Sequence, residues 1–399
     1  MLTNSTLLPL IWSLFAIVCV IIEAVITSDV EWTSSELAEW LQSGRSSGLD
    51  WIFIIISPAV IYLLLASGLV VYASFSLRLG SLGITCEILA IWIGDVMKLH
   101  YQHPRPFWNY SDVDGIECAK DWGAPSGHAF LSAAVIFFYL GEWIRNRKGV
   151  IWKFLLCILI VFIIDLDRVY LGVHFYFQVV LGNCLGILLA LTFHNLKVQE
   201  FILKIGENWK FLLASEILYA LFLMWTGFLY LFSSSNWEEK WTFNFHESCK
   251  GTLKYNTPMF AGVLESTIIL MLGGFWIGRY FLKIEPYKIT KQTALLGFVL
   301  LLLGAGIDQG IEQGIIKYVS ETVSFIVFCI LRFLAGLYIG FVIPRVVSRY
   351  YISHAKEHYI QTAKNELEDN NKYNENISKV EDPTDRKSPD GEASGDPEN

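Results

Sequence analysis

The chain has 399 residues, of which 54% are hydrophobic and 17% are charged, and its mean hydropathy is +0.45. A soluble protein carries about 25% charged residues, so this composition excludes an ordinary globular enzyme and indicates a membrane protein. Much of the net charge of −8 comes from residues 365–399, and no basic stripe suggests a nucleic-acid partner.

Ten apolar runs along the chain are long enough to predict membrane-spanning helices. They cover residues 8–27, 51–75, 81–99, 127–144, 151–167, 175–194, 209–232, 258–283, 292–308 and 323–344. The runs are continuous rather than alternating, which favours helices over a β-barrel. We therefore expect an all-α, polytopic transmembrane helical bundle of ten spans, or nine if the first run is a cleaved signal peptide.

The composition divides the chain into four regions. Residues 1–50 hold an anchor span and an interfacial segment, 51–195 form a core, and 196–352 form the C-terminal membrane spans. Residues 353–399 are rich in Asn, Glu, Asp and Ser and have only two aromatic residues besides His, Tyr359 and Tyr373. Such a segment cannot bury enough apolar surface to offset its ordering entropy, so we expect a disordered cytosolic tail.

The basic residues between the spans predict the orientation of the bundle. The connections 145–153, 195–210 and 279–291 are rich in Lys and Arg, and Arg345 and Arg349 follow the last span. Such connections face the cytosol. The loops 100–126 and 233–257 then face the lumen or the exterior. An endoplasmic reticulum or other endomembrane location is expected ahead of the plasma membrane.

Three polar islands lie where apolar runs stop or start. They are Lys98-x6-Arg105-Pro106, Pro125-Ser126-Gly127-His128 and Arg168-x5-His174. Ionisable groups beside hydrocarbon are costly and mark functional sites. All three islands map to the extracytoplasmic side, so their side chains can meet at one membrane face.

These residue types suit the binding and cleavage of a phosphate monoester. Arg105 and Arg168 can each offer a planar fork to phosphate oxygens, and Lys98 adds a point charge. Ser126 and Gly127, with their backbone N–H groups at the start of a helix, can donate further hydrogen bonds. Two histidines allow one to attack phosphorus and the other to protonate the leaving oxygen. This chemistry needs no metal and no cofactor.

The three islands resemble the signature of the type-2 phosphatidic acid phosphatase superfamily, K-x6-R-P, P-S-G-H and S-R-x5-H. That superfamily includes lipid phosphate phosphatases, bacterial acid phosphatases and glucose-6-phosphatase. The resemblance implies that residues 51–195 are a phosphatase core, with His174 as nucleophile and His128 as general acid. It also implies the phosphate-binding set, which is Lys98, Arg105, Ser126, Gly127 and Arg168.

Two positions depart from the superfamily pattern. Asp167 replaces the usual Ser before Arg168, where it either orients that guanidinium or weakens anion binding. Gln178 replaces an Asp that often orients the nucleophile, and glucose-6-phosphatase is similar in having Gln there. The run Trp92-Ile-Gly-Asp95 also resembles glucose-6-phosphatase, whereas His103-Pro-Arg-Pro resembles lipid and sphingoid-base phosphatases.

The leading interpretation is an integral-membrane, metal-independent phosphomonoesterase that acts through a phosphohistidine at the luminal face. A sugar phosphate such as glucose 6-phosphate is one candidate substrate. The alternatives are a phosphatase or phosphotransferase for a lipid phosphate, such as phosphatidic acid or a sphingoid-base phosphate, and a non-enzymatic transporter or scramblase on this scaffold. The partners expected are the phosphate monoester and the lipid bilayer, and the oligomeric state stays open.

Two pairs of residues carry further expectations. Cys118 and Cys249 are the cysteines outside the predicted spans, in loops that can meet on the oxidising side but need not. Glu265 and Arg332 lie deep in predicted spans, where a structural ion pair is expected ahead of a substrate role.

Overall fold

The computed structural model of the chain describes residues 28–144, 150–233, 237–254, 256–282, 295–296, 299 and 320–352. Every regular element in these ranges is helical, which confirms the all-α class. Seven of the described helices are long and apolar enough to cross a membrane. The predicted span 8–27, most of the predicted span 292–308 and the tail 353–399 lie outside the described residues. Residues 1–348 form one unit and residues 349–399 a second.

The helices are numbered here in chain order. They are α1 (Ser28–Ser43), α2 (Ser47–Ser74), α3 (Leu77–Tyr101), α4 (Pro106–Asn109), α5 (Gly127–Ile144), α6 (Val150–Tyr170), α7 (Tyr176–Phe193), α8 (Leu196–Leu203), α9 (Trp209–Phe232), α10 (Glu239–Cys249), α11 (Asn256–Ser266), α12 (Ile268–Phe281) and α13 (Glu321–Leu337). A 3-10 turn at Lys204–Gly206 follows α8, and a π-helical turn at Tyr338–Val342 follows α13.

Helix α3 is the central helix of the bundle, and it is buried along most of its length. It packs against α2, α5 and α11. The hydroxyl of Ser76 accepts a hydrogen bond from the Leu79 N–H and so begins the helix. The helix ends after Tyr101, where Gln102 adopts the left-handed conformation and Pro104 and Pro106 follow. This stop leaves Lys98 in the last turn, at the same end of the bundle as the loop after it.

Helices α2, α9 and α13 lie at the periphery of the bundle, and many of their apolar side chains are exposed. Ile55 on α2, Phe232 on α9 and Ile330 on α13 are more than half exposed. In a bilayer such side chains face lipid, because hydrocarbon takes the place of a protein core there. Helix α6 matches the predicted span 151–167 in position. It is not among the seven helices counted above, because Lys153 near its start and three charged residues in its last turns leave too short an uncharged stretch.

Helices α5 and α7 share the most extensive contact of any helix pair in the part of the chain described. Gly186 on α7 makes this approach possible, because a Cβ built there would lie 2.5 Å from the carbonyl oxygen of Phe130 and 2.6 Å from the Ala133 Cβ. Small residues at a helix contact allow backbones to approach in membranes, where no hydrophobic effect drives association. The contact brings the start of α5, with His128, beside the start of α7, next to His174.

Loop 110–126 and helix α10 form a layer over this end of the bundle. A disulfide joins Cys118 to Cys249, with 5.7 Å between their Cα atoms, so the bond that the sequence left open is formed. Aromatic rings pack below it; Phe107 contacts Phe245, and Trp122 contacts Trp241 edge to face. Fully burying one such side chain stabilises a fold by roughly 1.5–3 kcal/mol.

Replacing Gly186 with Ala is expected to destabilise the protein by about 1–3 kcal/mol, because the new methyl group overlaps backbone and side-chain atoms of α5. Thermal unfolding of the detergent-purified protein measures the change. Gly227→Ala on α9 is the matched control, since a Cβ there meets nothing within 4 Å. Equal melting temperatures for the two variants would contradict the close packing of α5 and α7.

Candidate active site

The polar islands occupy five helix ends at one end of the bundle. Lys98 lies in the last turn of α3, His128 in the first turn of α5, and Arg168 in the last turn of α6. His174 lies just before α7, and Arg105 just before α4. The structure therefore brings all three islands to one face, as their positions at the ends of apolar runs predict.

The guanidinium of Arg105 is the centre of the first cluster. Its Nε donates to the Asp121 carbonyl (2.7 Å) and its Nη1 to the Val173 carbonyl (2.7 Å). Nη2 donates to Asp121 Oδ1 at 2.7 Å, and Nη1 lies 3.3 Å from His174 Nε2. Arg105 thus joins loop 110–126 to the turn that carries His174.

The ring of His174 is held in one tautomer. Its Nδ1 lies 2.8 Å from the carbonyl oxygen of Gly123, and a carbonyl can only accept, so Nδ1 carries the proton. The lone pair is then on Nε2, on the side of Arg105. Burial, together with the charges of Arg105 and Arg168, lowers the pKa of His174 well below its usual value. The ring is therefore neutral and nucleophilic at physiological pH.

Lys98 is surrounded by carboxylates. Its Nζ lies 2.7 Å from Asp121 Oδ2, 3.4 Å from Asp95 Oδ1 and 3.6 Å from Glu265 Oε2. Burial alone would raise the pKa of Asp121, but the charges of Arg105 and Lys98 hold it well below its usual range. Asp121 is therefore ionised and bridges the two cations of the first island.

Arg168 and His128 form the second cluster. Asp167 Oδ2 accepts from Nε of Arg168 (3.0 Å) and from Nη2 (2.8 Å), so the carboxylate that replaces the usual Ser orients the guanidinium. Nη2 also donates to Glu117 Oε2 at 3.0 Å and to the hydroxyl of Ser57. The same hydroxyl lies 3.4 Å from His128 Nε2, which links the predicted general acid to Arg168.

Ser126 and Gly127 lie at the turn into α5. The N–H of Ser126 donates to the Gln178 carbonyl at 3.0 Å, so this backbone group is not the phosphate donor that the sequence predicts. The hydroxyl of Ser126 and the N–H of Gly127 remain candidate hydrogen-bond donors to a phosphate at this turn. Gly127 is close to the cation cluster, because a Cβ there would lie 3.6 Å from Lys98 Nζ.

A chain of hydrogen bonds holds the ring of His174 on the side of Nδ1. Gln178 Oε1 lies 3.3 Å from His174 Nδ1 and accepts from the Phe175 N–H. Its Nε2 lies 3.1 Å from His103 Nδ1, and His103 Nε2 lies 2.9 Å from Glu31 on α1. Gln178 thus contacts the ring of His174 from the position where the superfamily pattern often has Asp, and His103 links its amide to α1.

A cavity of about 560 Å³ opens beside His128. Its walls are mostly apolar and come from α2, α3 and α12, including Ile61, Ile91 and Ile268. Its polar groups include Glu117, Glu265 and Arg332. Glu265, for which the sequence predicts a pair with Arg332, lies 3.6 Å from Lys98 Nζ, and both Glu265 and Arg332 line this cavity.

Apart from Asp167, the sequence does not identify the residues that surround the cations. Asp121, Glu117 and Ser57 were not among the predicted site residues, and Glu265 was assigned a structural role. Acidic residues concentrated in loop 110–126, on the same predicted face as three cations, were the available signal. Their partners follow from tertiary contacts and not from any spacing.

Residues 81–201 match the model of the PAP2 superfamily, which confirms the resemblance carried by the three islands. Glucose-6-phosphatase catalytic subunit 1 of Canis lupus familiaris is 27% identical over 134 residues, which is 28% of this chain and 38% of that protein. The Bos taurus protein of the same name is 26% identical over 170 residues, 35% of this chain and 46% of that protein. The chain therefore matches less than half the length of these relatives.

A solved structure is also similar to this chain. It is described as the crystal structure of the first transmembrane PAP2 type phosphatidylglycerolphosphate phosphatase from Bacillus subtilis. The two chains are 21% identical, and the likeness covers 49% of this chain and 96% of the other with a TM-score of 0.39.

The ring of His174 should be mostly neutral at about pH 6.5, where an ordinary histidine is half protonated. The reason is that burial and two nearby guanidinium groups disfavour the charged form. Nuclear magnetic resonance of protein with ¹⁵N-labelled histidine, assigned with a His174→Gln variant, should show an Nδ1–H ring. A titration midpoint near or above about 6.5 would contradict this account of the ring.

Proposed function

Because residues 81–201 of this chain form a PAP2 superfamily domain, we propose that the protein is a metal-independent phosphomonoesterase acting through a phosphohistidine. One observation carries the proposal. His174 has Nδ1 fixed by the Gly123 carbonyl and turns its lone pair on Nε2 toward Arg105, which is the arrangement an activated nucleophile beside an anion-binding group requires.

The mechanism follows from the positions of the two histidines. Nε2 of His174 attacks phosphorus and forms a P–N bond while the ester P–O bond breaks, and His128 gives a proton to the leaving oxygen. Neutral His128 then removes a proton from water, which attacks phosphorus, breaks the P–N bond and releases inorganic phosphate. Lys98, Arg105 and Arg168 stabilise the charge on the equatorial oxygens, the largest contribution in phosphoryl transfer.

Sugar phosphates are the first candidate substrate class. The support is the likeness to proteins named glucose-6-phosphatase catalytic subunit 1, together with Gln178 behind the nucleophile. Glu117 and Glu265 beside His128 could accept hydrogen bonds from hydroxyl groups on the alcohol.

Lipid phosphates are the second candidate class, and the apolar cavity favours them. Ile54, Pro58 and Tyr62 of the peripheral helix α2 line the cavity and are themselves exposed on the outside of the described bundle. A hydrocarbon chain attached to the phosphate would fit such walls, because contact between apolar surfaces removes both from water and is favourable.

The disulfide supports an extracytoplasmic site. Disulfides form and persist in oxidising compartments, and Cys118 lies in the loop that also carries Asp121 and Glu117. The Lys- and Arg-rich connections of the opposite side fit the same orientation. We infer a luminal active face in an endomembrane such as the endoplasmic reticulum.

Purified protein should release inorganic phosphate from glucose 6-phosphate or from dispersed phosphatidic acid, and EDTA should not change the rate. A faster rate with the sugar phosphate supports the first class, and a faster rate with the lipid supports the second. The His174→Gln variant is the control and should be inactive on both. No turnover of either substrate by the wild-type protein would favour a transporter or scramblase.

Replacing His128 with Asn should reduce turnover of an alkyl phosphate by about 10²–10⁴-fold, the usual contribution of a general acid. The loss should be much smaller with 4-nitrophenyl phosphate, whose leaving oxygen needs no proton. His100→Asn is the matched control, since His100 is exposed at the end of α3. Equal losses with both substrates would argue against His128 as the proton donor.

Cys118 and Cys249 should be protected from a membrane-impermeant reductant and maleimide in sealed microsomes and become labelled after lysis. An Asn146→Cys variant, in a connection predicted to face the cytosol, should be labelled without lysis. A Cys118→Ser, Cys249→Ser double variant gives the background. Labelling of the native pair in sealed microsomes would reverse the proposed orientation.

A further inference from the structure

The five N–H groups of Arg105 are all directed at specific atoms. Nε donates to the Asp121 carbonyl, one N–H of Nη1 to the Val173 carbonyl, and Nη2 lies 3.5 Å from the Trp122 carbonyl. A guanidinium has five N–H donors, so two remain. One faces His174 Nε2 at 3.3 Å, and the other donates to Asp121 Oδ1 at 2.7 Å. Of these two donors, called here the inward N–H groups of Arg105, one faces His174 and the other faces Asp121.

The carboxylate of Asp121 uses both of its oxygens on the cations of the first island. Oδ1 accepts from Arg105 and Oδ2 from Lys98, each at 2.7 Å. The other carboxylates at Lys98 are farther away, at 3.4 Å for Asp95 and 3.6 Å for Glu265. Among the described residues, Asp121 alone is bonded to both Lys98 and Arg105.

A phosphoryl group in line with His174 Nε2 needs the same donors. Its oxygens would have to accept from the two inward N–H groups of Arg105 and from the ammonium of Lys98, as charge-assisted hydrogen bonds to phosphate do. A carboxylate presents two oxygens much as one face of a phosphate does. Asp121 therefore occupies donors that two phosphate oxygens would require.

We propose that Asp121 is an internal competitor for phosphate: its carboxylate neutralises Lys98 and Arg105 in the ligand-free site and is displaced when a phosphate group binds. The inference rests on the proposed function, and it identifies the group that substrate and product must replace. An internal competitor weakens the hold on inorganic phosphate, which favours release of the last product. Product release often limits turnover in enzymes.

The displacement requires only a side-chain rotation. The backbone of Asp121 is anchored, since its carbonyl accepts from Arg105 Nε and the nearby Gly123 N–H donates to the His103 carbonyl at 2.8 Å. The disulfide at Cys118 holds the same loop. The side chain of Asp121 is 15% exposed, so its carboxylate has a route to water. Rotamer changes of this kind are fast compared with turnover.

The two buried cations explain why an internal carboxylate such as Asp121 is needed when no phosphate is bound. Lys98 and Arg105 are buried, and a buried charge without a partner is strongly destabilising. Asp121 supplies a partner, and an arriving phosphate replaces one anion with another. The buried cations are therefore never left without an anion during the exchange.

Calorimetric titration of purified full-length protein with inorganic phosphate tests the proposal without relying on turnover. Asp121→Asn should bind phosphate at least about tenfold more tightly than the wild type, because a nearby negative charge and a competitor for two cations are both removed. Asp121→Ala should change in the same direction. Asp112→Asn, an exposed acid on the same loop, should bind phosphate like the wild type.

Weaker phosphate binding in both Asp121 variants, with Asp112→Asn unchanged, would overturn the proposal and make Asp121 a residue that positions the cations. Unchanged binding would overturn it as well, since a true competitor must affect affinity. Failure of the proposed function would look different. Asp121→Asn would still bind phosphate more tightly than the wild type, but the wild-type protein would turn over no phosphate monoester.

Discussion

The rest of the site depends on the hydrogen bonds that the buried guanidinium of Arg105 donates. Its hydrogen bonds reach loop 110–126 through Asp121 and the turn before α7 through Val173. A buried guanidinium is stable only when its donors are satisfied, so these two segments must approach each other. Their approach places the Gly123 carbonyl against His174 Nδ1, which directs Nε2 inward. The bonds that neutralise the cation thus also orient the ring of His174, the proposed nucleophile.

Much of the fold and part of the site could be predicted from the sequence. The apolar runs predicted the described spans because length and continuity decide whether a helix crosses a membrane. The spacing of the islands predicted that Lys98, Arg105, His128, Arg168 and His174 lie at one face, because each lies at a helix end. The alternative that Asp167 orients Arg168 is supported by two hydrogen bonds.

The acidic surroundings of the site could not be predicted in the same way. Asp121 and Glu117 lie in a loop without periodicity, and Ser57 and Glu31 come from helices distant in sequence. Whether such side chains meet a cation depends on how the loop is folded over the bundle, and the disulfide to Cys249 contributes to that. The N–H of Ser126, predicted as a phosphate donor, is used by Gln178 because α5 and α7 pack so closely.

The parts of the chain that carry chemistry and substrate contacts are different. The match to the PAP2 superfamily covers residues 81–201, which hold both histidines and all three cations. The cavity beside His128 takes much of its wall from outside that range, from α2, Glu265 and Arg332. The motifs therefore indicate one reaction, whereas under the proposed function the alcohol would be selected by segments that those motifs do not cover.

Trapping of the phosphorylated protein tests the central claim most directly. Protein mixed with a ³²P-labelled phosphate monoester and quenched within milliseconds should carry one acid-labile, base-stable phosphate, and peptide mapping should assign it to His174. A His194→Gln variant, altered at a histidine away from the site, should trap the same amount, and His174→Gln should trap none. Acid-stable label, or label on the His174→Gln protein, would contradict the account.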